Sequence, residues 1–191
     1  MSKIIFLDVD GTLIDYEAKM PASAGKAVDL ARANGHKVYI CTGCSKDEIL
    51  QRNLCDLDGM ILGNGTYVEH DNKVIMHQAM PLDEVKKVVH WCDQKDLAFY
   101  LETNSGVYCN DRMVQDGPAT MVKYAQGKGA DLTQAKHNAQ SFIDSFTLVH
   151  GEEFYREDVN KIDFIIRDYQ DHLDVIEAFP HLAHNTWGGK G

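Results

Sequence analysis

The chain has 191 residues, of which 44% are hydrophobic and 25% are charged, so it can bury a substantial core in one domain or two. Nineteen basic residues against 29 acidic ones give a formal net charge of −10, which argues against nucleic acid and anionic membranes as partners. No apolar stretch is long enough to span a bilayer, and the odd number of cysteines, five, suits reduced thiols, so we expect a soluble cytoplasmic protein.

The first predicted element is a short strand that ends in two carboxylates. Residues 3–7 are apolar and β-prone, as in a buried strand, and Asp8 and Asp10 follow directly. Side chains two apart on an extended chain point the same way, so these carboxylates can converge on one site, and Gly11 allows a sharp turn behind them. A buried pair of this kind holds a cation or shares a proton. Two solvated acids in a glycine turn are the alternative interpretation.

The second motif follows one crossover later. An alanine-rich helix is predicted over 22–33 and a strand over 36–41, and a strand, a helix and a strand in succession imply a parallel pair. The strand ends at Cys-Thr-Gly-Cys (41–44), and Ser-x-x-Glu at 45–48 has the spacing of a helix capping box. A helix N-terminus and the Thr42 hydroxyl would bind an anion, whereas a plain strand-to-helix turn is the alternative.

A third strand is predicted over 59–62, and Gly63-Asn64-Gly65 follows it at the same edge of the sheet. Open parallel sheets bind ligands at the carboxyl ends of their strands, so Asn64 is a candidate substrate contact. A tight turn without a binding role is the alternative for this asparagine.

The remainder of the chain predicts a second group of elements beyond Pro81. A β-hairpin over 66–77 precedes that proline. The elements expected after it are a helix over 82–92, a hairpin over 97–109, a helix over about 114–126, strands over 145–149 and 161–167, a helix over 170–179 and a last strand over 182–187. Because this part has its own apolar residues and strands, we interpret it as a separate α/β domain.

The segment Phe6-Leu7-Asp8-Val9-Asp10-Gly11-Thr12-Leu13 resembles the first motif of the haloacid dehalogenase superfamily of phosphatases. The resemblance implies that Asp8 is the nucleophile, which becomes an aspartyl phosphate, and that Asp10 is the general acid and base. Carboxylates are suited to both tasks on chemical grounds. An anionic nucleophile must approach an anionic phosphate, so positive charge is required, and Mg²⁺ held by Asp8 and Asp10 would supply it.

The second motif of the superfamily is similar to the strand that ends at Thr42, which implies that Thr42 and Gly43 bind phosphate. Gly63-Asn64-Gly65 resembles the Asn-Gly turn of the Cof-type branch, with Asn64 as a substrate contact. This chain departs from the Thr-Gly-Arg sequence common in that branch, because Cys44 stands where the arginine would be.

The resemblance implies an α/β fold with a Rossmann-like parallel sheet core, at residues 1–80, and an inserted α/β cap domain, at 81–187. Residues 188–191 would begin the return to the core. The implied substrate is a small phosphorylated metabolite, such as a sugar phosphate, selected by the cap.

Two motifs of the superfamily have no counterpart. Nothing in the chain spells the fourth motif, Gly-Asp-x-x-Asn-Asp, and Lys190-Gly191 lacks the helix that follows the lysine of the third. We therefore expect that a C-terminal part of the core is missing. Two other hypotheses remain: a phosphate or metal binder without turnover, and a thiol redox protein that uses Cys41 and Cys44.

Overall fold

The structure is a computed structural model that describes residues 1–15 and 19–186. The elements of the first part are β1 (Ile4–Leu7), α1 (Ala22–Ala33), β2 (Lys37–Cys41), α2 (Lys46–Gln51), β3 (Gly59–Leu62), β4 (Tyr67–His70) and β5 (Lys73–His77). Those of the second part are α3 (Leu82–Gln94), β6 (Phe99–Thr103), β7 (Val107–Cys109), α4 (Asp111–Gly127), α5 (Leu132–Asp144), β8 (Thr147–Leu148), β9 (Val159–Phe164) and α6 (Tyr169–Ala178).

The first part forms a five-stranded sheet in the order β1-β2-β3-β4-β5. Strands β1, β2 and β3 are parallel, with Leu7 opposite Ile40 and Ile40 opposite Met60. Strands β4 and β5 extend the sheet as an antiparallel hairpin. Asp71 and Asn72 both have positive φ angles, 46° and 59°, as a tight hairpin turn with the twist of the strands requires. The predicted α/β fold is confirmed, and its sheet is mixed.

The core of this part forms where the parallel strands pack against α1 and the carboxylate loop. Val38 and Ile40 of β2 are buried, as are Leu62 of β3 and Val28 of α1. The outer strand β1 is more open, since Ile4 is exposed. The parallel strands are thus held mainly from one side.

The second part forms a four-stranded sheet in the order β8-β7-β6-β9. Its central strand β6 is buried along its whole length and has apolar clusters on both faces. Phe99 and Leu101 belong to the cluster that includes residues of α3 and α6, whereas Tyr100 packs with Met113 of α4 and Ile143 of α5. This sheet therefore has a core of its own, and the division at residues 80 and 81 remains a prediction.

Two sequence predictions in the second part are wrong. Helix α5 was not predicted, because two of its three buried positions are alanines, Ala135 and Ala139, which give a weak apolar signal. The strand predicted over 182–187 is absent from 182–186, and residue 187 lies outside the described residues, as do 188–191.

Helix α4 begins at Asp111 because the Asn110 side chain accepts a hydrogen bond from Met113 N. In the described ranges no helix is long and apolar enough to cross a membrane.

Candidate active site

Three loops meet at the carboxyl ends of the parallel strands. Asp8 follows β1, Thr42 follows β2 and Gly63 follows β3. The second and third loops are joined by two backbone hydrogen bonds, from Gly63 N to Cys44 O at 2.9 Å and from Asn64 N to Thr42 O at 3.3 Å. The register of β1 and β2 places the first loop beside the second. The predicted site residues therefore share one edge of the sheet.

The loop after β1 alternates between buried and exposed side chains. Val9 is completely buried, and its carbonyl accepts hydrogen bonds from the N–H groups of Leu13 and Ile14, both at 3.0 Å. Gly11 has a φ of 75°, a conformation that glycine adopts without strain. Asp8 and Asp10 lie on either side of Val9 and are exposed. The turn thus holds the backbone fixed while both carboxylates face outward.

The side chain of Asp10 is held by two residues of the neighbouring segment. Arg52 Nη1 donates to Asp10 Oδ1 at 2.5 Å, and Cys44 Sγ lies 3.6 Å from Asp10 Oδ2. Arg52 Nη2 also lies 3.4 Å from Cys44 Sγ, which closes a triangle of contacts. Burial opposes the charge of Arg52, yet Cys44 and Asp10 beside it raise its pKa. By contrast, no hydrogen bond or ion pair of the Asp8 side chain is found among the described residues.

Thr42, Gly43 and Asn64 lie together. The Thr42 side chain is buried, and its hydroxyl oxygen accepts from Cys44 N at 3.2 Å, while the hydroxyl also interacts with the Cys44 side chain. A Cβ at Gly43 would come within 2.8 Å of Asn64 Oδ1, so the asparagine amide lies against the glycine backbone. Asn64 is exposed and has a φ of 57°. A hydroxyl, a bare backbone and a side-chain amide therefore converge.

The N-terminus of α2, the helix after this loop, is capped by the side chains of Ser45 and Glu48. The predicted capping box is present: the Ser45 side chain accepts from Glu48 N, and Glu48 Oε2 accepts from Ser45 N at 2.8 Å. Helix α2 has only six residues. A carboxylate thus already occupies the N-terminus, so any anion binding here would depend on the 42–44 loop and not on the helix end.

The two cysteines of the loop were candidates for a redox pair. Both are free thiols, with Cys41 exposed and Cys44 partly buried. Burial, and after it the nearby Glu48 carboxylate, raises the pKa of Cys44 to about 12. Reactive cysteines need a lowered pKa, so this environment disfavours the thiol redox hypothesis.

The donor atoms for the predicted Mg²⁺ are the carboxylate oxygens at the end of β1. Asp8 and Asp10 offer carboxylate oxygens, the ligands that Mg²⁺ prefers, and Mg²⁺ commonly takes one or two carboxylates with phosphate and water as its other ligands. In the described part of the chain, no group of three or more His, Cys, Asp or Glu side chains could hold a metal ion. The two aspartates fit part of a Mg²⁺ coordination sphere.

A cluster of buried charged side chains lies on the second sheet. It is close enough to α2 for the Glu48 carboxylate to affect the pKa of its members. Lys161 Nζ lies 2.8 Å from Glu102 Oε1 and 3.5 Å from Asp163 Oδ2. Burial and the neighbouring Glu48 raise the pKa of Glu102 well above its usual value, although Lys161 opposes the shift. Glu102 Oε2 is buried without a hydrogen-bond partner among the described residues, and burial also raises the pKa of Asp163. This cluster was not predicted from sequence.

A cleft of about 130 Å³ separates α2 from the second sheet and its helices. Arg52 and Glu48 line one side, and Val107 and Phe142 line the other. A larger cavity, of about 350 Å³, lies within the second part, among Asp96, Arg112 and His150, and includes none of the predicted site residues. Of these two, the smaller cleft is lined by Arg52, which contacts Asp10 of the carboxylate loop.

The carboxylate loop at the ends of parallel strands, and the second sheet beside them, define an α/β protein with a candidate site at the strand ends and an additional α/β unit. The family model described as haloacid dehalogenase-like hydrolase matches residues 5–189, and the chain belongs to this family.

Among curated proteins, the chain is 29% identical over 96 residues to YkrA of Bacillus subtilis (strain 168), which carries a provisional phosphatase name. The match covers 49% of this chain and 37% of YkrA. The chain therefore spans well under half the length of this relative.

Two solved structures share the fold. One is BT1666 from Bacteroides thetaiotaomicron, described among phosphatases of the haloalkanoate superfamily, with a TM-score of 0.71 and 24% identity over 98% of this chain and 64% of that one. The other, described in work on a trigonal-bipyramidal intermediate in a phosphoryl-transfer superfamily, has a TM-score of 0.65 and 26% identity over 94% of this chain and 64% of that one.

Proposed function

We propose that the protein is a Mg²⁺-dependent phosphohydrolase that removes phosphate from a small phosphorylated metabolite. The observation that carries the proposal is the contrast between two carboxylates on one rigid loop. Asp10 is held on both oxygens by Arg52 and Cys44, whereas Asp8 is exposed and uncommitted among the described residues. An attacking group must be free, and a proton-transfer group must be oriented, so the loop suits these two roles.

In the proposed reaction, an Asp8 oxygen forms a bond to phosphorus while the bond from phosphorus to the leaving oxygen breaks. Asp10 gives its proton to that leaving oxygen, which departs as an alcohol. A water molecule then attacks the phosphorus of the aspartyl phosphate, and Asp10 takes the proton of that water. The Asp8 carboxylate and inorganic phosphate are released, and both aspartates return to their starting states.

The phosphate would be bound by the neighbouring loops. The Thr42 O–H can donate to a phosphate oxygen, the backbone at Gly43 carries no side chain that would block approach, and the Asn64 amide can donate from the third loop. Mg²⁺ held by Asp8, with Asp10 contributing its unprotonated oxygen, would neutralise charge as the anionic nucleophile approaches the phosphate.

A small substrate is consistent with the volume of the cleft beside Arg52, about 130 Å³, which residues of α2 and of the second part line together. A sugar phosphate fits this description as a class. The net charge of −10 disfavours large polyanions such as nucleic acids. Selection among small phosphate esters would fall to the residues of the second sheet that face α2.

The alternative function is binding of phosphate or metal without turnover. It is favoured by the absence of a third acidic metal ligand from the described residues and of the fourth motif from the sequence. A chain that spans about two thirds of the solved relatives contains only part of what those proteins contain.

The two functions are separated by one set of measurements. Release of phosphate from an aryl phosphate is followed with Mg²⁺ and with EDTA, in the wild-type chain and in Asp8→Asn. We expect Mg²⁺-dependent turnover that Asp8→Asn abolishes, while the exposed control Asp29→Asn retains it. Unchanged turnover in Asp8→Asn would refute the mechanism. Calorimetric binding of Mg²⁺ and of a phosphate mimic without turnover would support the alternative.

A further inference from the structure

We propose that Arg52 is the positioning residue for Asp10, and that it takes this role because Cys44 leaves space for its guanidinium. The proposal rests on the proposed function, since it concerns the orientation of the carboxylate assigned to proton transfer. Arg52 is not part of the 41–45 loop, and only the folding of the chain brings it next to Asp10.

The first argument is the geometry of the contacts. The Arg52 guanidinium donates to Asp10 Oδ1 at 2.5 Å through one nitrogen and contacts Cys44 Sγ at 3.4 Å through the other. Cys44 in turn approaches the second oxygen, Asp10 Oδ2, at 3.6 Å. Both oxygens of Asp10 are therefore engaged, and rotation of its carboxylate would break at least one contact.

The second argument is the difference in burial between the partners. The Asp10 side chain is 56% exposed, whereas that of Arg52 is 21% exposed. An exposed aspartate on a turn loses rotamer freedom only when something fixed holds it. A guanidinium that is mostly withdrawn from water is a better anchor than a lysine or arginine at the surface, because fewer water molecules compete for its N–H groups.

The third argument is the anchoring of Arg52 itself. Arg52 is the C-cap residue that follows the last residue of α2, and its N–H donates to Ile49 O at 3.1 Å. Ile49 is buried in the core of the first sheet, and the Ser45–Glu48 capping box fixes the other end of the helix. The short helix is thus secured at both ends, so the backbone of Arg52 has a defined place relative to the carboxylate loop.

The fourth argument concerns the residue at position 44. A cysteine side chain is short, and its sulfur lies beside both the guanidinium and the carboxylate while leaving them in direct contact. An arginine at this position would extend into the space that the Arg52 guanidinium occupies. We therefore expect an arginine introduced at position 44 to supply a guanidinium in place of that of Arg52.

The test is a reciprocal exchange. Turnover of para-nitrophenyl phosphate with Mg²⁺ is measured in the wild type, Arg52→Gln, Arg52→Lys and the double variant Arg52→Gln/Cys44→Arg. Because misplacing a proton-transfer group by about 1 Å can cost on the order of 100-fold, we expect Arg52→Gln to lower kcat by roughly 10- to 100-fold with KM changed by less than about 3-fold. Arg52→Lys should recover part of the loss, and the double variant should recover most of it.

The matched control is Arg167→Gln, because Arg167 also pairs with an aspartate, Asp171, in the second part of the chain and away from the loop. It should keep wild-type kcat. Thermal unfolding is recorded for every variant. Wild-type kcat in Arg52→Gln would overturn the proposal, and so would a loss that follows unfolding and is not recovered by Cys44→Arg.

Failure of the proposed function is recognised separately. If the wild-type chain has no turnover, the proposal is tested by the ¹³Cγ NMR resonance of Asp10 in the folded protein, whose chemical shift is measured in each variant. It should shift in Arg52→Gln, return toward the wild-type position in the double variant and stay unchanged in Arg167→Gln. An Asp10 ¹³Cγ chemical shift that is the same in Arg52→Gln as in the wild type would overturn the positioning role, whether or not the protein is active.

Discussion

Asn160 Oδ1 of β9 lies 3.1 Å from His77 Nε2 of β5, so a buried amide joins the second sheet to the first. The same oxygen accepts from Thr66 Oγ1 at 3.2 Å, and Asn160 Nδ2 donates to Asn104 Oδ1 at 2.9 Å. The chain crosses between the two sheets nearby, where Met80 N donates to Val159 O at 2.8 Å. One side chain therefore connects both sheets at the crossing.

Replacing Asn160 by alanine should loosen this junction. Asn160→Ala removes the hydrogen bonds to both sheets from a buried position, so the free energy of unfolding should fall by roughly 1–3 kcal/mol. Exchange of the Met80 amide hydrogen should become faster. The measurements are chemical denaturation and hydrogen exchange, with the exposed Asn138→Ala in α5 as the control. Equal stability and equal exchange in the two variants would contradict this prediction.

Gly43→Ala tests whether the second and third loops act together on phosphate. The new Cβ would come within 2.8 Å of Asn64 Oδ1, so the amide must swing away. We expect KM for an aryl phosphate to rise roughly 10-fold, because the amide donor moves off its position. The free energy of unfolding should change by less than about 1 kcal/mol, since only a surface side chain moves.

The control for this change is Gly127→Ala at the end of α4, where a Cβ has nothing within 4 Å. It should leave KM unchanged. Steady-state kinetics and thermal unfolding of both variants decide the matter. An unchanged KM in Gly43→Ala would remove Gly43 and Asn64 from the phosphate site.

Asp58 should make stability depend on pH in the acid range. Its carboxylate accepts from Val38 N and Lys37 Nζ, each at 2.9 Å, and from Arg32 Nε at 3.2 Å. Burial opposes its charge, but these partners outweigh burial and lower the pKa of Asp58. The Asp58 carboxylate therefore contributes its full amount to the free energy of unfolding above the unfolded-state pKa of about 3.9. This contribution is lost as the pH falls through the lower folded-state pKa.

Asp58→Asn should accordingly cost roughly 1–3 kcal/mol of unfolding free energy at pH 7. Its deficit relative to wild type should shrink below about pH 4, where Asp58 of the unfolded wild-type chain takes up a proton before Asp58 of the folded protein does. Urea denaturation at several pH values between 3 and 7 measures both effects, with exposed Asp29→Asn as the reference. A deficit that stays constant over that range would show that Asp58 contributes no pH dependence.

Glu102 should act in the opposite direction. Burial and Glu48 raise the pKa of Glu102, so the folded protein keeps this proton at a pH where the unfolded chain has released it. Stability from this group is therefore complete below the unfolded-state pKa of about 4.3 and declines as the pH rises toward the folded-state value. Glu102→Gln, which stays neutral, escapes the decline.

The unfolding temperature of Glu102→Gln should therefore match wild type near pH 4 and exceed it at pH 8, by roughly 2–4 °C for each kcal/mol gained. Calorimetry across this range is the measurement, and Glu157→Gln, at an exposed position, is the control. If the wild type gained stability relative to Glu102→Gln as the pH rose, the direction assigned to this carboxyl group would be wrong.

Short-range features of the first part could be predicted from sequence. Helix α1 has the predicted bounds, Ala22–Ala33, and β3 has the predicted bounds, Gly59–Leu62. The Ser45–Glu48 capping box forms as its spacing indicates. These features depend on residues within a few positions of one another, where periodicity and capping chemistry act directly. The carboxylates at Asp8 and Asp10 follow from the same local pattern of a buried strand and a glycine turn.

The contact between Arg52 and Asp10 could not be predicted in this way. The two residues are 42 positions apart, and an arginine at the end of a helix is explained locally by the helix dipole alone. Glu102 and Lys161 are likewise neighbours only because β6 and β9 pair in one particular register. Sequence by itself determined which side chains stand at the strand ends. The packing of α2 and the pairing of distant strands decided which charged groups meet them, because such contacts depend on the path of the whole chain.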